Sequence, residues 1–207
     1  MNNENTIQVW DIAVRVFHWS LLVSFVVAYL TAEDESILHI YSGYAVLGLI
    51  VFRVLWGVIG SRYARFSDFV YSPTVVFGYL KDLVHKKPGH YIGHNPAGGW
   101  MVLALLLGLF VISVSGLKLY AIEEGRGPLA AVNVELSLIP VAHADRDEHE
   151  DRKTGNNQDE EDWEEIHELS TNLTLLLIFL HITGVVVSSR LHGENLVRAM
   201  ITGKKKA

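Results

Sequence analysis

Four long apolar blocks constrain the fold of this chain more than any other feature of its sequence. They lie at about 14–31, 37–60, 99–120 and 166–189, and each is close to the length of a membrane-spanning helix. A water-soluble domain of 207 residues, about half of them apolar, would distribute those residues along the whole chain. The sequence therefore predicts an all-α membrane protein that forms one domain over residues 1–207, a four-transmembrane-helix bundle in contact with membrane lipid.

Charge is distributed unevenly among the segments between these blocks, and this predicts the orientation of the chain. The loop 121–165 is strongly acidic. Most basic residues fall in the N-terminus, the 61–97 loop and the C-terminal tail: Arg15, Arg62, Arg65, Lys81, Lys86, Lys87, Arg190, Arg198, Lys204, Lys205 and Lys206. Because basic segments stay on the cytoplasmic side and the number of spans is even, both termini are expected in the cytoplasm of a bacterial inner membrane. The acidic loop then faces outward, where it is either simply solvated or attracts a basic protein.

Two shorter segments are predicted to be interfacial helices. Ser72 and Pro73 are typical of an N-cap followed by proline at the first helical position, and apolar residues then recur at helical spacing through Leu83. This pattern indicates an amphipathic helix on the membrane surface. A second short helix and a basic tail are expected after the fourth block.

Composition excludes several classes of site. The chain has no cysteine, so it has no disulfide, iron–sulfur cluster, thiolate-bound zinc or covalently attached c-type haem. Its one basic run, Lys204 to Lys206, lies at the C-terminal end, and no nucleic-acid partner is expected.

The fourth block carries two histidines, His167 and His181, separated by fourteen residues. At roughly 100° per residue the second imidazole returns to within about 40° of the first, and the two stand about 21 Å apart along a helix. Two imidazoles on one helix face, one near each side of a bilayer, can each hold one haem iron. The alternative is a pair of helix-end histidines that meet water at the two interfaces.

Two more histidines supply partners at matching depths. His18 lies near the start of the first block and His39 near the start of the second. The predicted topology places His18 with His181 on the cytoplasmic side and His39 with His167 on the outer side. Two bis-histidine haem sites fit this pattern, because helix bundles build cofactor sites from facing helices. Zinc can also bind imidazoles, but a pair without a supporting carboxylate or thiolate is a weak site. A proton relay would need acidic residues at mid-depth, and none are present there.

Four other residues are candidates for contact with the cofactors: Arg15, Arg53, Lys118 and His94. A buried arginine such as Arg53 needs an anionic partner, for example a haem propionate, unless it snorkels to the interface. Arg15 and Arg53 on the cytoplasmic side and Lys118 on the outer side are expected to tune the redox potentials of the haems by their charge. His94, in the turn-forming run G-H-N-P-A-G-G, has either a structural role or a contact with a cofactor or quinone. The third block has no histidine and is interpreted as a scaffold helix.

Several motifs along the chain resemble one family, the bacterial membrane cytochromes b that include cytochrome b561 and the b-type cytochrome subunits of nickel–iron hydrogenases. They are W-D-x-x-x-R-x-F-H-W from Trp10, H-x-x-x-G from His39, R-x-x-W-G-x-x-G from Arg53, G-H-N-P-A-G from Gly93, E-E-x-H-E from Glu164, L-H-x-x-G from Leu180 and E-N-L-V-R-A-M-I-T-G from Glu194. The resemblance implies a dihaem four-helix protein with His18, His39, His167 and His181 as haem ligands. The long acidic segment 143–165 departs from the family pattern.

The predicted function is transmembrane electron transfer by a b-type cytochrome with two haem b groups. The electrons would pass between a quinone pool or a periplasmic redox protein and a partner such as a cytochrome c, hydrogenase or dehydrogenase. Bis-histidine iron has no open coordination position, which favours an electron carrier over an enzyme. One alternative adds quinol or superoxide oxidation beside a haem, at His94, Lys118 or the acidic loop. The other is a haem-free membrane anchor for a periplasmic enzyme.

Overall fold

The computed structural model describes residues 6–32, 36–85, 87, 89–130 and 148–206. These residues form seven α-helices, one 3-10 turn and two short strands. In chain order they are β1 (Thr6–Gln8), α1 (Ile12–Leu30), α2 (Ile37–Ile59), the 3-10 turn (Arg62–Ala64), α3 (Phe66–Phe69), α4 (Pro73–Val84), α5 (Pro96–Glu124), α6 (Glu148–His192), α7 (Leu196–Thr202) and β2 (Lys204–Lys206).

Four of the helices are long and apolar enough to cross a membrane, which confirms the prediction of a four-span helical protein. They are α1, α2, α5 and the segment Gln158–His192 of α6. Few of their apolar side chains are buried and many are exposed, as expected where lipid rather than water surrounds the bundle.

Polar residues define where these helices begin. The Asp11 carboxylate accepts a hydrogen bond from the backbone N–H of Val14 at 2.8 Å, and the Asn95 side chain accepts one from Gly98 at 2.7 Å. Each bond satisfies one of the N–H groups that a first helical turn leaves unpaired. Pro96 at the start of α5 needs no such partner, because it has no N–H.

Packing along the bundle is closest between α5 and α6, followed by α1 with α2 and then α2 with α5. A small apolar cluster of Val46, Ile50 and Leu109 ties α2 to α5 near mid-bundle. A second cluster lies where the chain enters and leaves the bundle, and contains Val9, Trp10, Val14, Ala64 and Ala199.

The first and last described residues lie at one end of the bundle, here called the terminal end, because β1 and β2 pair antiparallel with Thr6 opposite Lys206. Gly203 permits this pairing with a left-handed φ of 81°, and its carbonyl accepts hydrogen bonds from the N–H groups of Val9 and Trp10. This pairing, here called the terminal clasp, was not predicted from the sequence. The other end of the bundle is here called the opposite end.

Two predicted boundaries differ from the structure. The third helix continues to Glu124, and α6 begins at Glu148 rather than near 166, so much of the predicted acidic loop is helix. The remainder of that loop, residues 131–147, lies outside the described residues. The predicted amphipathic helix and the short helix near the C-terminus are confirmed as α4 and α7.

Candidate haem sites

At the opposite end of the bundle, His39 of α2 and His167 of α6 face each other. Their ring centroids lie 6.3 Å apart and their planes are inclined by 72°. A metal held between two imidazoles places the ring centroids about 6 Å apart, because each metal–nitrogen bond is about 2 Å and each ring adds about 1 Å. The pair that the sequence predicted to share a depth therefore has the spacing that a bis-histidine site requires.

The hydrogen bonds of these two histidines determine which ring nitrogen is free. The Nδ1 atom of His39 lies 2.9 Å from the carbonyl oxygen of Ala28, which can only accept, so Nδ1 carries the proton. The Nδ1 atom of His167 lies 3.0 Å from the hydroxyl of Ser115, and that hydroxyl donates to the Ile112 carbonyl. Nε2 is thus left with a free lone pair in both residues, as in histidines that bind a metal.

A cavity of about 400 Å³ adjoins both rings. Its lining includes Gly43 and Gly116, and its volume falls in the usual range for ligand pockets, roughly 300–1,000 Å³. A Cβ atom on Gly43 would meet no other atom within 4 Å, so this glycine leaves open space one turn from His39. The ring spacing, the free nitrogens and the open space fit a haem group at this end.

At the terminal end, His18 of α1 and His181 of α6 lie within electrostatic reach of each other. The Nδ1 atom of His18 is buried and has no hydrogen-bond partner among the described residues. The His18 ring meets Trp19 edge-on, with centroids 5.3 Å apart. The second predicted pair therefore lies at the same end of the bundle, although no hydrogen bond from a described residue anchors these imidazoles as at the opposite end.

Arg53 is buried near His94, which also lies within electrostatic reach of His181, and 3% of the Arg53 surface is exposed. Its guanidinium lies over the rings of Phe66 and Phe69, at 4.9 and 5.8 Å from their centroids. One guanidinium nitrogen, Nη1, is buried without a hydrogen-bond partner among the described residues. A buried cationic donor with unmet hydrogen-bonding capacity is suited to an anionic group such as a haem propionate.

His94 lies close to Arg53, between two aromatic rings. The Trp10 and Phe69 centroids are 4.6 and 4.5 Å from its own, and its Nδ1 atom is buried without a partner in the described chain. Burial, followed by the charge of nearby Arg53, lowers the pKa of His94 to about 3. The ring is therefore neutral at physiological pH and keeps both a donor and an acceptor nitrogen.

The other two predicted residues lie in different surroundings. Arg15 donates from Nη1 to the Ile201 carbonyl at 2.5 Å and from Nε to the Asp11 carbonyl at 3.4 Å, so it joins α1 to α7. Lys118 lies in the last third of α5, next to the cavity-lining residue Leu117. Sequence reasoning missed Ser115, which is an ordinary small polar residue within an apolar run until α6 is packed against it.

Residues 9–203 match the family of prokaryotic cytochrome b561. Relatives of similar sequence are named as probable Ni/Fe-hydrogenase B-type cytochrome subunits. The protein from Azotobacter vinelandii is 24% identical over 98% of this chain and 90% of its own length. The protein from Bradyrhizobium diazoefficiens is 23% identical over 97% of this chain and 86% of its own length. No solved structure gives a significant match.

The family match covers nearly all of the chain and includes every predicted histidine ligand. It also agrees with the four spans and with the imidazole pair that fits a haem. The chain therefore belongs to the prokaryotic cytochrome b561 family, and is an integral membrane b-type cytochrome that binds haem b and transfers electrons.

Proposed function

We propose that the chain holds two haem b groups, one at each end of the bundle, and passes electrons between them across the membrane. His39 and His167 hold one iron, and His18 and His181 hold the other. The observation that carries this proposal is the His39–His167 pair, with ring centroids 6.3 Å apart and each Nδ1 already engaged. Such a pair offers two free Nε2 lone pairs to one metal.

Each haem, when bound, supplies a one-electron redox couple. The protein would contribute two imidazoles to each iron, and this ligation would leave no coordination position for oxygen or substrate, which favours a carrier over a catalyst.

Arg53 and His94 are the residues that bind the terminal-end haem apart from its ligands. Both have a buried nitrogen without a partner in the described chain, and His94 lies within electrostatic reach of both Arg53 and His181. Arg53 supplies a fixed positive charge toward a propionate. His94 supplies a neutral hydrogen-bonding ring held between Trp10 and Phe69, which also suits a quinone carbonyl. Arg15 and Lys118 act by their charge at longer range.

The membrane of this protein is the bacterial inner membrane, with the terminal end in the cytoplasm. The β1–β2 pairing supports this orientation because it keeps both termini on one side, together with most basic residues of the chain. The relatives are named as hydrogenase cytochrome subunits, so a hydrogenase is the favoured redox partner, before a cytochrome c or a dehydrogenase. The quinone pool is the proposed second partner.

The test is the haem-to-protein ratio of purified protein, with the reduced-minus-oxidised spectrum, for the wild type and four His→Ala variants. We expect two haems in the wild type, and loss of one in each of His18→Ala, His39→Ala, His167→Ala and His181→Ala. His85 is the matched control, because it is exposed, follows α4, and its imidazole bonds only to the Lys81 carbonyl in the described structure. A wild type without haem absorbance would instead support a membrane anchor, and turnover of quinol or superoxide by purified protein would support an oxidoreductase.

A further inference from the structure

Helix α5 carries no histidine, yet one of its side chains contacts a predicted ligand. Ser115 is fully buried between α5 and α6, with none of its surface exposed. Its Oγ atom lies 3.0 Å from the Nδ1 atom of His167 and 3.0 Å from the Ile112 carbonyl oxygen. The helix interpreted from sequence as a scaffold thus supplies a polar partner to the opposite-end site.

The positions of the protons follow from the chemistry of the three groups. A carbonyl oxygen only accepts, so the single hydroxyl proton of Ser115 goes to Ile112. The Ser115 oxygen must then accept from His167, which fixes the proton of that imidazole on Nδ1. A hydroxyl that already donates is a stronger acceptor, because hydrogen bonds in a chain polarise one another.

The backbone of α5 reinforces this contact. A Cβ atom on Gly116 would lie 3.0 Å from His167 Cε1 and 3.4 Å from its Nδ1, so the imidazole packs directly against the helix. The ring is therefore held on one side by packing and at Nδ1 by a hydrogen bond. Few rotations remain open to it, and its Nε2 atom has a fixed direction.

We propose that Ser115 is a positioning residue that sets the orientation and the electron donation of His167 and thereby lowers the midpoint potential of the opposite-end haem. This inference rests on the proposed function. An imidazole that donates from Nδ1 to a good acceptor is a more basic ligand, and a more basic ligand stabilises the oxidised, more positively charged iron. The acceptor hydroxyl, rather than a space-filling side chain, is what the site requires.

Ser113 provides a matched control on the same helix. Ser113 is buried, lines the cavity beside His39 and His167, and donates to the Leu109 carbonyl at 2.8 Å. No hydrogen bond in the described structure joins Ser113 to a histidine. Ser113→Ala removes the same atom from the same helix as Ser115→Ala. Only the second change removes an acceptor from His167.

The experiment is a redox titration of both haems in the wild type, Ser115→Ala, Ser113→Ala and His167→Ala, with electron paramagnetic resonance spectra of the oxidised proteins. His167→Ala identifies which midpoint belongs to the opposite-end haem. We expect Ser115→Ala to keep two haems, raise that midpoint, shift the corresponding low-spin ferric signal and leave the other midpoint unchanged. Ser113→Ala should match the wild type.

Equal midpoints in Ser115→Ala and the wild type, with two haems present in both, would overturn the inference and leave the proposed function intact. If Ser115→Ala loses the haem, Ser115→Thr and Ser115→Cys replace it. Thr retains the hydroxyl and should keep the wild-type midpoint, whereas the weakly accepting thiol of Cys should raise it; equal midpoints in these two variants would overturn the inference. Two haems retained in His167→Ala would refute the proposed function itself.

Discussion

Gly108 of α5 faces Thr174 of α6 so closely that a Cβ atom on Gly108 would lie 2.5 Å from Thr174 Oγ1. Thr174 is itself fully buried at this contact. Small residues at facing positions let membrane helices approach, where lipid provides no hydrophobic force to join them. The same helix pair brings Ser115 to His167 further along, so the close approach at Gly108 also determines the geometry of the opposite-end site.

Gly108→Ala is expected to separate α5 from α6 and destabilise the protein. Overpacking of a tight interface typically costs about 1–3 kcal/mol of unfolding free energy. The measurement is the thermal unfolding midpoint in detergent, with the absorbance of the opposite-end haem followed in parallel. Gly78→Ala in α4 is the control, because a Cβ atom there meets nothing within 4 Å. Identical unfolding midpoints for the two variants would contradict this account of the interface.

The sequence predicted the spans well because the membrane favours an apolar side chain at nearly every position of a spanning helix, whatever its neighbours are. A charge or a break within an apolar block is costly wherever it lies, so α2 was expected at 37–60 and is found at Ile37–Ile59. For Arg53 the sequence left two possibilities, burial beside an anionic group or snorkelling to the interface, and the side chain is buried with 3% exposure. The four histidines could be paired by depth for the same reason.

The features that sequence reasoning missed depend on contacts between distant segments. The strands of the terminal clasp are each three residues long, too short for an alternating pattern, and exist because Gly203 turns the tail back onto Val9 and Trp10. The first part of α6, which begins at Glu148, has no apolar periodicity from which a helix could be predicted. The role of Ser115 appears only when α5 and α6 are packed together.

Arg53→Ala is expected to lower the midpoint potential of the terminal-end haem. Removing a positive charge stabilises the oxidised iron, and two unit charges about 10 Å apart at an effective dielectric constant near 20 interact by an energy on the order of 1–2 kcal/mol. A redox titration measures the change. Arg62→Ala is the control, because the Arg62 side chain is 75% exposed and faces Asp68 at 3.7 Å. Two unmoved midpoints in Arg53→Ala would exclude this role for the guanidinium.

Asp11→Ala is expected to weaken the terminal end of the bundle. The Asp11 carboxylate caps α1 at Val14, accepts from the Trp56 indole at 3.1 Å and accepts from the Ser61 hydroxyl. Loss of an N-cap alone typically costs about 1 kcal/mol, and an unpaired indole adds to it. Chemical unfolding of the wild type, Asp11→Ala and Asp11→Asn gives the comparison. Asp11→Asn keeps the capping oxygen, so its stability should lie between those of the wild type and Asp11→Ala. If Asp11→Asn is less stable than Asp11→Ala, the side chain of residue 11 does not act as the N-cap.

Glu194 joins the terminal clasp to the segment that precedes His94. Its carboxylate accepts from His90 Nε2 at 2.9 Å and pairs with Lys205 Nζ at 3.1 Å, and that ammonium also donates to the Tyr91 carbonyl. The Glu194 and Lys205 side chains are only 9% and 6% exposed. Breaking a buried ion pair by removing one partner costs about 3–5 kcal/mol, because the other charge stays buried. Glu194→Gln is therefore expected to open the clasp, measured as faster hydrogen exchange at Val9 and Trp10.

The pH dependence and a double variant test the same ion pair. Burial raises the pKa of Glu194, but hydrogen bonds from His90 and Lys205 outweigh it, and the pKa lies below its usual value of 4.5. Since the folded state binds the proton less tightly, the stabilisation is complete above pH 4.5 and is lost as the pH falls below it. The difference in unfolding midpoint between the wild type and Glu194→Gln should thus be largest at pH 7 and decrease as the pH is lowered below 4.5. Glu194→Gln combined with Lys205→Met should be more stable at pH 7 than Glu194→Gln alone, because no charge is left unpaired; a double variant no more stable than the single one would show that the ion pair does not hold the clasp.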